Sequence, residues 1–300
     1  MSDPTLGVDL SDLIARLAVV DGDGQVLSSG EVPPGGNTAS GIRDAAKRAI
    51  AGARATVTRI GVAMPAPGDA VPPAITAALR EASSRETDVI TIAAGTAAAL
   101  AEQWCGVARG LKQVVTFAIG EHVTAGILMN GEPWHGAHGL ASSVAWLAMN
   151  PVEREDYRRY GGLEAEIASA GIVRRLVWRI KSGDQSVVAD RVNSDFTKIN
   201  ADDIFQASRD GDGVSISVVR DTAKYIGMAA ANLATMFDPE TIVLGGVIPN
   251  WGDQMLEAVK VECARRLQPQ QGELVRIVLS TLGKDAVAIG AARAAARAGA

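Results

Sequence analysis

Cysteine is nearly absent from this 300-residue chain: Cys105 and Cys263 are the only two, and they do not stand at metal-ligand spacing. That is too few for a disulfide framework, suits a reducing compartment, and leads us to expect both as buried apolar residues. Dense runs of Lys or Arg are also missing. With a formal net charge of −5 and a pI near 5.3, the chain lacks the basic patch or stripe that marks a nucleic-acid-binding surface. No run of about 18 apolar residues is present to span a membrane. The start, Met-Ser-Asp-Pro-Thr, lacks the basic and apolar regions of a signal peptide, so the cytoplasm is the expected location.

What the chain does have is apolar residues, 47% of the total, enough for a sizeable core in one large domain or two modest ones. Apolar runs Leu6–Asp9 and Ala15–Val20 alternate with turn signals, and the Asp21-Gly22-Asp23-Gly24 step before Gln25-Val26-Leu27 reads as a hairpin. Helical spacing covers Gly41–Ala53, and Arg59–Met64 is a short buried strand ending at the rigid Pro65-Ala66-Pro67-Gly68-Asp69 turn. Val89–Ile92 reads as another strand and Gly95–Cys105 as an Ala-rich helix.

From Gln113 the pattern restarts: a strand, a loop, a second strand, then Asn130-Gly131, another hairpin turn. Such an approximate repeat predicts two related α/β domains facing each other across a cleft. Further on, mostly helical spacing from Ala165 to Asp221 includes Ile172, Leu176 and Ile180. A long helix is expected over Ser215–Met236, a buried strand at Thr241–Leu244, an amphipathic helix at Asp253–Leu267, a strand at Arg276–Leu279 and an Ala-rich helix at Ala286–Ala298.

Several motifs, in order along the chain, resemble the ROK family of repressors, open reading frames and kinases. Ile60-Gly-Val-Ala-Met-Pro-Ala-Pro-Gly-Asp69 is similar to the family turn bordering the sugar pocket. Asn130-Gly131 through Gly136-Ala137-His138-Gly139 is similar to its Asn-Gly-x-x-x-x-Gly-Ala-x-Gly, Gly161-Gly162-Leu163-Glu164 to its Gly-Cys-Leu-Glu, and Phe237–Val247 to its adenosine motif. The resemblance covers essentially the whole chain. It implies a two-domain actin-like ATPase (ribonuclease H-like) fold: a small α/β domain of residues 1–115 plus 286–300, a large one of residues 116–285, and a central cleft. It also implies a homodimer at least. Repressor members carry an N-terminal helix-turn-helix domain, for which a first strand beginning by Leu6 leaves no room.

The chemistry-bearing positions depart from the family pattern. Family Asn-Asp-Ala-Asn falls on Ala93, Ala94, Gly95 and Thr96, so the general base becomes Ala94, and a base is usually worth roughly 10²–10⁴-fold in rate. The first phosphate loop, family Asp-x-Gly-Gly-Thr-Lys, falls on Asp9 to Ile14 and keeps only Asp9. The second falls on Gly120 to Gly126, with Glu121 and His122 where a hydroxyl and a glycine belong. Asp12 and Glu121 would each bring a carboxylate towards a polyanion, and like charges about 4 Å apart repel by roughly 4 kcal/mol at an effective dielectric of about 20. The family's sugar-binding carboxylate becomes Ser143, its zinc-binding His becomes Trp146, and its three zinc cysteines fall on Glu155, Tyr157 and Gly162. A structural zinc site needs four N or S ligands, so no zinc is expected, and apolar packing of Trp146 with Tyr157 or Tyr160 is expected in its place.

The resemblance thus makes Pro65, Ala93, Ala94, His138, Ser143 and Glu164 the candidate sugar pocket, and Asp9, Asp12, Gly120, Glu121, Gly245 and Gly246 the candidate nucleotide region, with no catalytic residue at Ala94. Glu164 suits a sugar hydroxyl or a helix-capping role equally, and His138 either a ligand or a local hydrogen bond. Asp9, Asp12 and Glu121 suit a divalent cation or, preferably, pairing with Arg16 and solvation. Gly245-Gly246 is what a tight strand-to-helix turn requires in any case. Trp104 and Trp178 are expected in the core, and Arg154, Arg158 and Arg159 with Tyr157 and Tyr160 on a solvated loop rather than an anion site. The first expectation is a pseudokinase that binds a small carbohydrate or a protein, with no nucleic acid, membrane or cofactor. Its rivals are an ATP- and Mg-dependent glucokinase-like enzyme with a relocated base at Asp9, Glu164 or Asp69, and a structural partner of an active homologue.

Overall fold

The computed structural model describes residues 3–83 and 87–298; the outermost residues of the terminal expectations, 1–2 and 299–300, lie outside them. In chain order the elements are β1 (Thr5–Asp9), β2 (Ala15–Val20), β3 (Val26–Val32), α1 (Ala39–Ala53), β4 (Arg59–Met64), α2 (Pro73–Ser83), β5 (Asp88–Ala93) and α3 (Ala94–Cys105). Then come β6 (Val114–Ile119), β7 (Val123–Met129), β8 (Glu132–Pro133), α4 (Glu155–Tyr160), α5 (Glu164–Ile167), α6 (Ser169–Lys181), α7 (Val187–Arg191) and α8 (Ala201–Arg209). The chain closes with α9 (Gly213–Phe237), β9 (Thr241–Gly246), α10 (Gly252–Ala264), α11 (Pro269–Leu274), β10 (Arg276–Leu279) and α12 (Ala286–Arg297).

Two five-stranded sheets result, ordered β3-β2-β1-β4-β5 and β8-β7-β6-β9-β10. Each is three antiparallel strands continued by two parallel ones, β1–β4–β5 in the first and β6–β9–β10 in the second. This is the repeat announced by the two strand-turn-strand patterns in the sequence. The hairpin turns follow their residues: Asn130 and Gly131 both take positive φ, 55° and 82°, the conformation for which Asn-Gly is selected between twisted strands.

Helices α3 and α12 pack on each other between the sheets, α12 against β1 and β4 and α3 against β6 and β7. Small side chains permit this. A Cβ on Gly7 would come 1.8 Å from the Ala288 carbonyl oxygen and one on Gly290 1.7 Å from that of Ala97, so glycine is required at both crossings. The largest apolar core lies around the second sheet and includes Phe117, Ile127, Leu163, Ile167, Phe205 and Leu244; the first sheet has its own, including Leu6, Leu17, Ile42, Ile60 and Leu79.

Several expectations need correction. Trp178 is 67% exposed, and Trp104 is half-buried beneath the Arg293 guanidinium, 4.9 Å from its ring centroid. Only Cys263 is buried; Cys105 is half-buried at the last turn of α3. The Arg154–Tyr160 segment is no loop: Arg154 is the N-cap of helix α4, which has Glu155 and Asp156 in its first turn and Arg158 and Arg159 in its last, a charge order that suits the helix dipole. Helices α1 and α9 start earlier than periodicity indicates because Thr38 and Asp212 cap them through side-chain oxygens. Among the described residues, no helix is long and apolar enough to cross a membrane.

Candidate functional site

The β4–α2 turn, the start of α3, the β6–β7 turn, the Ser142–Trp146 segment, the end of α4 and the start of α5 enclose a cavity of about 330 Å³. Of the sequence-derived sugar-pocket residues, Pro65, Ala93, Ser143 and Glu164 line it. Ala94 and His138 do not: Ala94 is 1% exposed, packed with Ala63, Ala97 and Ala291, and His138 lies in an exposed loop. Asp69 also lines the cavity, with its carboxylate accepting the Ala66 amide at 2.9 Å.

A second cavity, about 270 Å³, is lined by all six residues of the candidate nucleotide region, Asp9, Asp12, Gly120, Glu121, Gly245 and Gly246, together with Arg16, Glu102, Ser280 and Lys284. Three of its acidic groups, Asp9, Asp12 and Glu102, are already engaged. Asp12 meets Arg16 at 3.1 Å, the pairing preferred over cation binding. Asp9, 3% exposed at the end of β1, accepts from the Ser11 amide and hydroxyl; burial outweighs these bonds and holds its pKa above the ordinary carboxylate value. Glu102, 1% exposed, accepts from the Ser280 hydroxyl and the Val107 amide, and burial raises it too. Gly246, at φ 70°, could not carry a Cβ, which would meet the Ile119 carbonyl oxygen at 2.0 Å.

His122 and Thr124 line both cavities. His122 Nδ1 lies 3.3 Å from Glu164 Oε1, and because an ionised carboxylate can only accept, Nδ1 donates there. This hydrogen bond raises the imidazole pKa against the opposing effect of burial. Glu164 Oε2 accepts the Val123 amide at 2.9 Å, so this carboxylate joins α5 to β7. The sequence marks His122 only as an intruder in a phosphate loop; its partner stands 42 residues away and is brought to it by folding. Glu102 had a visible signal, an acidic residue set in an otherwise apolar run of α3.

Phosphate loops work by presenting unspent backbone N–H groups. Here four such groups are spent. Ser11 and Leu13 donate to Asp9 and Asp12 carboxylates at 2.9 and 2.7 Å, Gly120 donates to the His122 carbonyl at 3.1 Å, and Val123 to Glu164. The residues therefore present a polyphosphate with none of these four donors.

Nor do they fit zinc. Trp146, expected to pack on Tyr157 or Tyr160, is 60% exposed. The Tyr157 hydroxyl turns instead to Glu166, a carboxylate with 8% of its side chain exposed, which also meets Arg154 at 3.1 Å and Arg175 at 3.0 Å. A buried carboxylate demands donors, and that demand outweighs aromatic contact. Among the described residues no three His, Cys, Asp or Glu side chains converge as a metal-binding group.

The profile described as ROK family matches residues 5–298. A glucokinase from Halalkalibacterium halodurans is 28% identical over 309 residues, covering 95% of this chain and 92% of its own. One from Streptomyces coelicolor is 26% identical over 96% of both. The chain is also similar to a solved ROK family glucokinase from Streptomyces griseus in complex with glucose and AMPPNP, with a TM-score of 0.79 and 24% identity over 98% of this chain and 99% of the other. The mixed two-sheet architecture is the actin-like ATPase fold of those kinases. With a match spanning nearly its whole length, this chain belongs to the ROK family.

Proposed function

We propose that this is a carbohydrate-binding ROK protein that does not transfer phosphoryl groups. The observation that supports this most is the internal satisfaction of the Ser11, Leu13, Gly120 and Val123 amides, which leaves a nucleotide's phosphates without those donors. Phosphoryl transfer rests almost wholly on positioning and charge stabilisation of the phosphates. The buried Ala94 supports the same reading, since no base stands at the family position. The roughly 330 Å³ cavity beside Glu164, Ser143 and Thr124 retains the size and polar groups to hold a small carbohydrate. A cytoplasmic homodimer without zinc, nucleic-acid or membrane partners completes this reading.

Calorimetry against ATP and against hexoses, amino sugars and their phosphates tests it, alongside an ADP-formation assay. Sugar binding without nucleotide binding is expected; sugar-dependent ADP formation would overturn the proposal.

One observation favours a second reading, a glucokinase-like enzyme with a relocated base. His122 lines both cavities and is bonded to Glu164 in the first, and a histidine oriented by a carboxylate is a familiar general base. Under that reading His122→Gln abolishes turnover. Under the first there is none to abolish.

A further inference from the structure

A cavity of about 420 Å³ shares no residue with the two described above: Arg154, Glu166, Gly171, Arg174, Arg175 and Trp178 line it. Four of these, Gly171, Arg174, Arg175 and Trp178, recur at spacings of three, one and three on α6 and so occupy one helix face. A core face would carry aliphatic residues, whereas this one carries two guanidinium groups, an indole and a glycine. The glycine is required by a close approach, since a Cβ on Gly171 would lie 2.5 Å from the Ala165 carbonyl oxygen.

Local carboxylates do not exhaust these cations. Glu166 Oε1 accepts from Arg154 and Tyr157, and its Oε2 from Arg175. Asp156 meets Arg154 at 3.5 Å and Arg174 at 3.0 Å. Three guanidinium groups thus face two carboxylates, leaving one positive charge in excess. Arg174 engages its neighbours through Nη2 alone, so its Nε and Nη1 have no hydrogen-bond acceptor among the described residues, and its side chain is 40% exposed. Trp178, one turn further along the same face, leaves 67% of its surface open. A purely structural ion network requires neither the spare donors nor the open indole.

Guanidinium forks match the oxygens of phosphates and carboxylates, and an indole offers a flat apolar face to a ring. We propose that this cavity binds a small anion carrying a planar ring, its phosphate or carboxylate group on Arg154 and Arg174 and its ring on Trp178. The site is independent of carbohydrate binding in the cleft.

Titration of the intact protein with phenyl phosphate, benzoate and inorganic phosphate, followed by calorimetry and tryptophan fluorescence, tests the assignment. Phenyl phosphate or benzoate should saturate with a dissociation constant below about 1 mM and alter a fluorescence signal that Trp178→Phe removes. Arg174→Gln should weaken binding about tenfold or more while circular dichroism stays unchanged. Tighter binding of phenyl phosphate assigns the site to phosphate monoesters, and tighter binding of benzoate to carboxylates. Absence of saturation by about 10 mM overturns the proposal, as does binding unaffected by both Arg174→Gln and Trp178→Phe. So does a dimer that Trp178→Ala converts to monomer in a protein that binds none of the three probes, which would make this face a subunit contact.

Discussion

Gly95 and Gly126 face each other so closely that a Cβ on Gly126 would lie 2.0 Å from the Gly95 carbonyl oxygen, and one on Gly95 would lie 2.0 Å from the Ala125 oxygen. The Thr116 hydroxyl secures the crossing by donating to Gly95 O at 2.9 Å and accepting from Gly126 N at 3.1 Å. This crossing sets the start of α3 against β7, and with it the spacing of Ala93 and Thr124 across the first cavity. Gly126→Ala should therefore cost about 1–3 kcal/mol, the usual penalty for overpacking. Denaturant unfolding provides the measurement, and an unchanged midpoint would show that the two elements separate freely.

The network around Glu166 ties α4, α5 and α6 together. Removing the Tyr157 hydroxyl with Tyr157→Phe should cost about 1–3 kcal/mol, and Glu166→Gln, which takes the charge partner from Arg175 and one of two from Arg154, about 3 kcal/mol. Burial, followed by the bond to Glu166, pushes the Tyr157 pKa from its ordinary 10.0 up to about 12. Because the folded state holds this proton more tightly, the contribution is complete below pH 10 and lost as pH rises through about 12. Alkaline melting curves should show a stability loss in that window which Tyr157→Phe diminishes.

His122 supplies a second pH dependence nearer neutrality. Its folded pKa is raised above 6.5 by the bond to Glu164, so its contribution is present below pH 6.5 and is lost as pH rises through the raised value. Melting temperatures from about pH 5 to about pH 9 should fall across that window in the natural protein and not in His122→Gln. The effect will be small, because 47% of the imidazole side chain is exposed. Equal pH slopes in the two proteins would mean that the pair does not form in solution.

Periodicity and turn chemistry made the strands and long helices legible, because local patterns select them: the Asn130-Gly131 turn and the buried Arg59–Met64 strand stand where the sequence places them. Residues of the site were harder to read. Whether Ala94 or its neighbours Ala93 and Gly95 border the cavity depends on how α3 is rotated as it enters the α3–α12 contact, which no local signal specifies. The His122–Glu164 pair joins residues distant in sequence, and the Tyr157–Glu166 bond crosses from α4 to α5, which no single-element periodicity reveals. Trp178, expected in the core, stands two residues from Leu176 and so turns away from the Ile172–Leu176 face of α6, onto the face that carries Arg174 and Arg175.

Restoring the family base separates one lesion from many. Ala94 is buried among Ala63, Ala97 and Ala291, so Ala94→Asp places a carboxylate in an apolar cluster with no donor assigned to it. The variant should lose about 1–3 kcal/mol of stability or more and should not gain kinase activity, since the phosphate-loop amides remain spent. Adding Asp12→Gly and Glu121→Thr removes two carboxylates from the wall of the second cavity and frees the Leu13 amide. ATP affinity should then rise before any turnover does, because repulsion is relieved without rebuilding the full set of donors. Titration of ATP against the natural protein, the single variant and the triple variant tests the order of these effects. Tight ATP binding by the natural protein would contradict the account of both loops and favour a nucleotide-responsive protein instead.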